Sequence, residues 1–291
     1  MAQSLMETLM DLVIHIGYRK TATSWLQEIL FPSLSLNYIG KTEGNYPDWL
    51  IEWHYADDFF FDDRQNIIRK RLYSCLDKKR INLLSSEAFT NTASVYSQAH
   101  RIKKIWPEAR IIITLRDPID MIWSHYRHDI QEGDCFVNIE EWLDWKRTPF
   151  VIHKRKTIYL PDFFFDEAIK LYTSLFTDKN ICILKYEDMI SHKNNIFFIK
   201  LFEFLGIHDQ MPSSKQLRKK INESPIEQGS LETLKRKNLE KFIHKHYPIL
   251  SINDLSSSLN HPMELSRSSG IPSELREKLV NYFKGKSYGY Y

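Results

Sequence analysis

The sequence predicts an α/β protein: a single domain with a mostly parallel central sheet flanked by helices. Short apolar runs rich in β-branched residues, such as "LVIHIG" and "ARIIITLRDP", are typical of strands buried on both faces. Segments with apolar residues at helical spacing separate these runs. This alternation of strand-like and helix-like segments is the pattern of βαβ units, which form parallel sheets.

The first half of the chain contains three predicted strands. The first strand leads into a helix, "SWLQEILFP", that ends at Pro32, because proline cannot continue a helix. The predicted order is a strand at 12–17, a helix at 24–32, a strand at 36–40, a helix at 64–79 and a strand at 80–89, with no clear period over 41–63.

The second half begins with a fourth strand at 109–118, which is closed by Asp117 and Pro118. Proline suits the first turn of the helix that follows at 118–127, because its missing N–H has no partner there anyway. Beyond it we expect a loop-rich insertion at 133–165 with one short helix ("IEEWLDWK"), a helix at 166–176, a strand at 180–189, a helix at 195–207 ending near Gly206, and helical pieces at 231–244 and 272–283. The domain is expected to cover 1–291, with a core at 12–207 and a basic helical cap at 208–291.

Composition limits the partners of this chain. Of its 291 residues 43% are apolar and 26% charged, and a formal net charge of +3 is too small to indicate nucleic acid as the main partner. No run approaches the roughly 18 apolar residues of a membrane span, so we expect no membrane partner. The cysteines, Cys75, Cys135 and Cys182, fit neither a zinc pattern nor a disulfide framework. They predict reduced thiols, a cytoplasmic location and no metal site.

The segment "GYRKTATSWLQ" lies between the first predicted strand and its helix. A triphosphate loop needs Gly-x4-Gly-Lys-Ser/Thr, whereas Lys20 follows Gly17 by three residues and Ala22 stands where a second glycine is expected. The unpaired N–H groups of a helix start and nearby hydroxyls still suit one anion, and Lys20 adds a charge beside it. The alternative is that Thr21 only caps the helix and Lys20 is solvated. The loop alone does not decide between them.

Three motifs in order resemble those of the sulfotransferases that use 3′-phosphoadenosine 5′-phosphosulfate (PAPS). "GYRKTATSWLQ" resembles their 5′-phosphosulfate loop, Gly-x-x-Lys-Thr/Ser-Gly-Thr-Thr/Ser-x-Leu. "IIITLRDPIDMIWSHYRH" is similar to their 3′-phosphate element, in which a serine follows the arginine by eight residues. "ILKYEDMISHKNNIFFIKLFEFLGI" is similar to their Tyr-Glu-Asp strand and Phe-Leu-Gly helix. The resemblance covers about residues 13–207 and implies a P-loop-like sulfotransferase architecture.

The resemblance also implies which residues bind PAPS, which would be released as 3′-phosphoadenosine 5′-phosphate (PAP). Guanidinium suits bidentate phosphate binding, although Arg116 could instead pair with Asp117 or Asp120, and Tyr186 could be a core residue. Ala22 replaces the usual glycine, which matters if that position needs a positive φ. The implied set is Lys20, Thr21, Ala22, Thr23 and Ser24 on the 5′-phosphosulfate, Trp25 and Tyr186 near the adenine, and Arg116 and Ser124 on the 3′-phosphate.

Two catalytic roles follow from the expected chemistry. A lysine aimed at the leaving phosphate oxygen stabilises the transition state more than the ground state, and Lys20 has that position. The small-molecule branch of the family carries a histidine base after the third strand, and "LLSSEAF" puts Glu87 in its place. Glu87 is therefore the expected general base, unless it only pairs with a lysine. His125 and His128 are the fallback candidates, and His15, inside a strand, is expected to be a core histidine.

The acceptor is expected to be a small molecule with a hydroxyl or amine, and the segment "EWHYADDFFFDDR" favours a polar or cationic one through its acids and aromatic rings. The alternative is a solvated acidic turn with Phe59, Phe60 and Phe61 in the core. Two other functions stay open, a small-molecule or nucleotide kinase, which would need magnesium, and a non-catalytic nucleotide- or glycan-binding protein.

Overall fold

The computed structural model describes residues 10–41, 45–91, 95–145, 158–191, 195–208, 211–218, 228–246 and 270–290. The chain forms two compact units: Met1–Arg116 with Phe165–Asn222, and Asp117–Phe164 with Glu223–Tyr291. The expected single domain, with its core and cap boundaries, stays a prediction.

The first unit is built on a five-stranded parallel sheet with strand order β2-β3-β1-β4-β7. In the register of the sheet, Val13 of β1 lies opposite Leu83 of β3, and Ile113 of β4 lies opposite Ile183 of β7. The strands are β1 (Leu12–His15), β2 (Asn37–Ile39), β3 (Asn82–Ser85), β4 (Arg110–Leu115) and β7 (Ile181–Lys185). The predicted α/β class with a parallel sheet is confirmed.

Helices of the first unit connect and cover these strands. They are α1 (Thr23–Trp25), which continues through a π-helical turn (Leu26–Leu30) and a 3₁₀ turn (Phe31–Ser33), α2 (Asp48–Tyr55), α3 (Phe61–Cys75), α4 (Ala88–Asn91), α5 (Val95–Ile105), α8 (Phe165–Phe176), α9 (Tyr186–Ile190), α10 (Ile196–Leu205) and α11 (Ser214–Arg218). Helix α10 packs against one face of the sheet, where Phe197 and Leu201 meet Val13 and Ile112 in the core. Gly206 ends α10 with a φ of 71°, as the sequence predicts.

Several boundaries differ from the sequence prediction. Helix α2 lies in the stretch 41–63, where no period was visible, and α3 begins at Phe61 rather than at 64. Helices α4 and α5 follow β3 without having been predicted. Strand β7 ends at Lys185, so Tyr186 begins a helix instead of extending the strand. The strand and helix meet at Lys185 and Tyr186 without a glycine or proline between them, so the sequence carries no signal for this boundary.

The second unit contains α6 (Pro118–Gln131), α7 (Ile139–Trp142), α12 (Gln228–His246), α13 (Ser273–Phe283) and the short parallel pair β5 (Leu143–Asp144) and β6 (Ile158–Tyr159). The Asp117 side chain caps α6 by accepting from the N–H groups of Ile119 and Asp120. Asn238 ties α12 to α6 because its amide donates to the carbonyls of Ile130 and Cys135. Within the described ranges, no helix combines the length and the apolar character that crossing a membrane requires.

Candidate active site

The candidate site lies in the first unit, at the carboxyl ends of neighbouring strands. After β1 the chain turns towards the β2 edge, whereas after β4 it leads on to β7 at the other edge. In open α/β sheets, ligands bind outside the carboxyl ends of strands where the connections diverge in this way. The loop after β1 and Arg116 after β4 therefore border the expected crevice. We call residues 18–24 the donor loop.

The backbone of the donor loop is held in an uncommon conformation. Lys20 and Ala22 both have positive φ, at 66° and 65°, and Ala22 is the residue that precedes α1. A side chain in this left-handed region costs about 1–2 kcal/mol relative to ordinary backbone. Ala22 therefore adopts a backbone geometry that glycine, the residue expected here from the motif, adopts without strain. At Gly17 no side chain fits, because a Cβ would overlap Thr114, Thr23 and His15.

The Thr21 hydroxyl points into the protein rather than out of the loop. It donates to the carbonyl of Tyr18 at 2.5 Å and lies 2.8 Å from the Thr114 hydroxyl. A hydroxyl carries one proton, so in this state Thr21 has none for a phosphate oxygen. Its contacts instead close the turn onto β4.

His15 lies beneath the loop as a buried core residue. Its Nδ1 is 2.8 Å from the Ser85 hydroxyl and its Nε2 is 3.2 Å from the Thr114 hydroxyl. Burial lowers the pKa of His15 to about 3, so the ring is neutral at physiological pH. The expectation of a satisfied core histidine is confirmed.

Thr23 and Glu87, two predicted site residues, are in direct contact. The Thr23 hydroxyl donates to Glu87 Oε2 at 3.0 Å across 64 positions of sequence. Thr23 begins α1, and Glu87 lies between the end of β3 and α4. The donor loop and the expected general base are thus joined by one hydrogen bond.

Tyr46 is a neighbour of Glu87 that sequence reasoning missed. Its hydroxyl donates to Gln27 Oε1 at 3.2 Å, and the Gln27 amide donates in turn to the Ser85 hydroxyl at 3.0 Å. Burial, followed by the negative charge of Glu87, raises the pKa of Tyr46. Tyr46 lies in the stretch without a helical or strand period, so no pattern could have indicated it.

A second buried histidine, His54, contacts the side chain of Ser86. Its Nε2 is 2.9 Å from the Ser86 hydroxyl, whereas its Nδ1 has no hydrogen-bond partner among the residues that the structure describes. Burial lowers the pKa of His54 to about 4, with the positive charge of Arg101 acting in the same direction. A neutral ring that donates from Nε2 leaves only a lone pair unsatisfied, which costs less than an unpaired N–H.

Arg116 connects the three motifs of the sequence. One guanidinium nitrogen, Nη1, donates to the carbonyl of Lys20 at 3.0 Å, and the guanidinium carbon lies 4.7 Å from the ring centre of Tyr186. Its Nε is buried and finds no hydrogen-bond partner within the described ranges. A buried guanidinium N–H without an acceptor is costly, so this group fits an anion such as a phosphate. The Lys20, Arg116 and Tyr186 motifs therefore meet in one place.

Trp25 is more enclosed than an adenine-binding ring requires. Only 6% of it is exposed, it packs at 6.3 Å from the Phe198 ring, and its indole N–H donates to the carbonyl of Gln216 at 3.2 Å. Tyr186 is half-buried. Trp25 thus has a packing role, and its contact with adenine stays a prediction.

Ser124, His125 and His128 all lie on α6 in the second unit. Ser124 is half-buried, and the buried His125 ring lies 6.3 Å from that of Phe163. His128 Nδ1 is 4.0 Å from a carboxylate oxygen of Glu132. The role of Ser124 at a 3′-phosphate, and those of the two histidines as fallback bases, stay predictions.

The acidic segment at residues 52–64 carries carboxylates that are bonded to cations of the same chain. Glu52 is 2.6 Å from Arg64 and 3.4 Å from Arg71. Asp58 and Asp62 are held by Arg101 at 2.7 Å and Lys104 at 2.6 Å, respectively. These pairings reduce the charge that the segment could offer to a cationic acceptor.

The three phenylalanines of this segment have different environments. Phe61 is buried, and the guanidinium carbon of Arg101 lies 4.8 Å from the centre of the Phe61 ring. Phe59 is 92% exposed and Phe60 is 60% exposed. The alternative that all three lie in the core is therefore wrong for Phe59 and Phe60, because they sit on a short 3₁₀ turn that has no buried side chain.

Residues 10–248 match the family model described as "Sulfotransferase domain", so the chain belongs to the sulfotransferase family. The crystal structure of a sulfotransferase from Alicyclobacillus acidocaldarius is similar, with a TM-score of 0.53, 19% identity, and coverage of 81% of this chain and 96% of that one. Mouse sulfotransferase SULT7A1 complexed with PAP gives a TM-score of 0.42 at 12% identity, covering 98% of this chain and 89% of that one. A search among curated proteins gives no match.

Among the described residues, no group of three or more His, Cys, Asp and Glu side chains could hold a metal ion.

Proposed function

We propose that this sulfotransferase moves a sulfuryl group from PAPS to a hydroxyl or amine of a small-molecule acceptor and releases PAP. The observation that carries the proposal is the contact of Arg116 with both the Lys20 carbonyl and the Tyr186 ring. It joins the three motifs that resemble PAPS-binding elements at the carboxyl ends of β1, β4 and β7. The buried, unpaired Nε of Arg116, among the described residues, supports an anion as the ligand of that place.

The residues proposed to hold the donor are those of the loop and of the strand ends. Lys20 to Ser24 would bind the 5′-phosphosulfate through their N–H groups, the hydroxyls of Thr23 and Ser24 and the lysine charge, whereas the Thr21 hydroxyl is bonded to the Tyr18 carbonyl. Arg116 would bind the 3′-phosphate together with Ser124, and Tyr186 and Trp25 would lie near the adenine. The bound donor supplies an activated sulfuryl group whose leaving group is a phosphate oxygen.

Two side chains of this protein are proposed to carry the chemistry. The Lys20 ammonium stabilises the negative charge that develops on the leaving oxygen, an interaction that strengthens in the transition state. Glu87 accepts the proton that the acceptor oxygen or nitrogen loses as its bond to sulfur forms. The Thr23 contact already holds the carboxylate of Glu87 beside the donor loop.

The acceptor is proposed to be a polar or cationic small molecule. Carboxylates of the acidic segment are bonded to arginines and a lysine of the chain, so they favour a cation less than their number suggests. Equal rates with cationic and neutral acceptors of the same size would remove the cationic preference and leave the sulfuryl transfer intact.

The decisive experiment for the activity is incubation of the purified protein with PAPS and a panel of small hydroxyl and amine compounds, followed by mass spectrometry. The proposal predicts a product heavier by one SO₃ group, together with PAP, in the absence of magnesium. A phosphorylated product with ATP and magnesium, and none with PAPS, would support the kinase alternative. Binding of PAP without any turnover across the panel would favour the binding-only alternative.

A cytoplasmic location is part of the same proposal. It is supported by the three cysteines, Cys75, Cys135 and Cys182, which are free thiols. Burial raises the pKa of the Cys135 thiol to about 12 and that of Cys182 to about 11, so neither is a reactive thiolate.

A further inference from the structure

The Thr23 hydroxyl is already bonded to Glu87 in the structure, although it is also a proposed ligand of the donor phosphate. Its single proton is donated to Glu87 Oε2 at 3.0 Å, so it cannot be donated to a phosphate oxygen at the same time. The Thr23 side chain is 3% exposed, and its methyl group packs against Gly17, where a Cβ would overlap it. The methyl contact fixes the side chain. The hydroxyl can therefore donate either to Glu87 or to a phosphate oxygen, but not to both at once.

We propose that Thr23 couples donor binding to the proton affinity of Glu87. In the absence of donor, Thr23 donates to the carboxylate and stabilises its ionised form. When the 5′-phosphate lies on the donor loop, the same hydroxyl proton turns to a phosphate oxygen, and Glu87 loses that hydrogen bond. Thr23 is thus a positioning residue that makes Glu87 a stronger base when the donor is present. This inference rests on the proposed function.

Two physical effects act in the same direction. Loss of a hydrogen bond to the ionised carboxylate favours the protonated form. The phosphate also brings negative charge close to Glu87, because two acceptors within reach of one hydroxyl lie within about 6 Å of each other. A like charge at that distance again favours the protonated form of a carboxyl group.

The sign of the proton linkage follows from these effects. Because Glu87 gains proton affinity when the donor binds, binding takes up protons in the range where this carboxyl titrates. By linkage, the part of PAP affinity that depends on Glu87 is greatest at low pH and is lost as pH rises through that range.

Among the described residues, the titratable groups next to Glu87 are Tyr46 and His54, which is bonded to Ser86, and Lys20 lies on the donor loop that Thr23 joins to Glu87. Burial and the charge of Glu87 raise the pKa of Tyr46, which keeps its hydroxyl neutral in acid. Burial lowers the pKa of His54 to about 4, so this ring is neutral above about pH 5. Above about pH 5, proton uptake on PAP binding is therefore expected from Glu87 and from the phosphates of PAP.

The test is isothermal titration of the full chain with PAP, in buffers that share one pH but differ in ionisation enthalpy. Their comparison gives the number of protons taken up on binding. The wild type is compared with Glu87→Gln, so that protons bound by PAP itself cancel. We expect the wild type to take up more protons on binding than Glu87→Gln does.

The role of Thr23 is isolated by repeating the comparison with Thr23→Val, which keeps the shape of the side chain but has no hydroxyl. In this background the Glu87-dependent uptake should fall to about half, because only the phosphate charge still acts. Thr23→Ser, which restores the hydroxyl, should recover the wild-type uptake. Thr173→Val on α8 is the matched control and should leave it unchanged.

The outcomes separate this inference from the function on which it rests. If PAP does not bind the wild type, the proposed function itself fails. If PAP binds but the uptake is equal in wild type and Glu87→Gln, the coupling is wrong and the function stands. If the Glu87-dependent uptake is as large with Thr23→Val as with the wild type, charge alone acts on Glu87 and the role of Thr23 is overturned.

Discussion

The donor loop and the acidic segment at residues 52–64 are both candidate binding regions in the sequence. Their polar groups differ in how they are bonded within the chain. In the acidic segment Glu52, Asp58 and Asp62 are bonded to cations of the same chain. At the donor loop, two residues are held in a left-handed conformation, and the neighbouring Arg116 keeps a buried Nε without a partner among the described residues. The carboxylates of the acidic segment are thus already paired, whereas backbone strain beside an unsatisfied group makes the donor loop the better candidate for a binding site.

The largest loss is expected when Glu87, at the loop, is changed to Gln. The amide has the size of the carboxylate but cannot accept a proton, so kcat should fall by about 10²–10⁴-fold. Turnover of PAPS with an acceptor found in the panel measures it. Glu167→Gln, at an exposed site paired with Lys170, is the control and should leave kcat unchanged. If Glu87→Gln keeps its activity and His125→Asn or His128→Asn loses it, the base is one of those histidines.

Replacing Lys20 with Met should lower kcat by about 10²–10³-fold, because the leaving oxygen loses its nearby charge. The acceptor KM should change little, since the acceptor does not bind to this side chain. Lys170→Met, an exposed lysine, provides the matched control. A variant at Lys20 that folds and turns over normally would contradict the proposed role.

Arg116→Lys tests the group that joins the motifs. Lysine retains the charge but loses the planar fork and the stacking on Tyr186, so PAP should bind roughly 10-fold more weakly. Isothermal titration measures the change in affinity. Arg80→Lys, at an exposed pair with Asp77, should not alter it. Equal affinity of wild type and Arg116→Lys would show that Arg116 has a structural role only.

Ala22→Gly should stabilise the protein, because glycine adopts the left-handed φ of 65° without strain. Part of the gain is offset by the greater freedom of glycine in the unfolded chain, so a net increase of about 0.5–1 kcal/mol in the unfolding free energy is expected. Ala168→Gly, inside α8, should have the opposite sign, at about 1 kcal/mol. Denaturant unfolding of the two variants compares them, and destabilisation by Ala22→Gly would argue against the left-handed turn.

The smallest effect is expected in the acidic segment. Glu52→Gln removes two exposed ion pairs and should lower the unfolding free energy by less than about 1 kcal/mol. PAP affinity and the ratio of rates with cationic and neutral acceptors should not change. A loss of activity confined to cationic acceptors would instead indicate that Glu52 contacts the acceptor.

The fold was predictable because its strands are buried on both faces. Runs such as Ile111 to Ile113 must be apolar to lie in the middle of a parallel sheet, and that requirement is visible in the sequence. Helix α2 was not apparent in the sequence although its buried residues recur at helical spacing, because its exposed face also carries the apolar residues Ile51 and Tyr55. Periodicity indicates a helix only when an apolar face contrasts with a polar one.

The sequence could suggest the residues of the candidate site but not their contacts. The resemblance to sulfotransferase motifs indicated Lys20, Glu87 and Arg116, and their roles stay predictions. The hydrogen bond from Thr23 to Glu87 joins residues far apart in sequence, and the inward turn of Thr21 depends on Thr114 in another strand. Such contacts are decided by tertiary packing, which a single sequence does not record.

The donor loop is proposed to hold a single 5′-phosphate of a 3′-phosphoadenosine nucleotide. The most direct test of this proposal is isothermal titration of the wild type with PAP and, separately, with ATP and magnesium. PAP should bind more tightly than ATP, and magnesium should not improve PAP binding, because Lys20 and Arg116 supply the positive charges. Tighter binding of ATP with magnesium than of PAP would contradict the proposal.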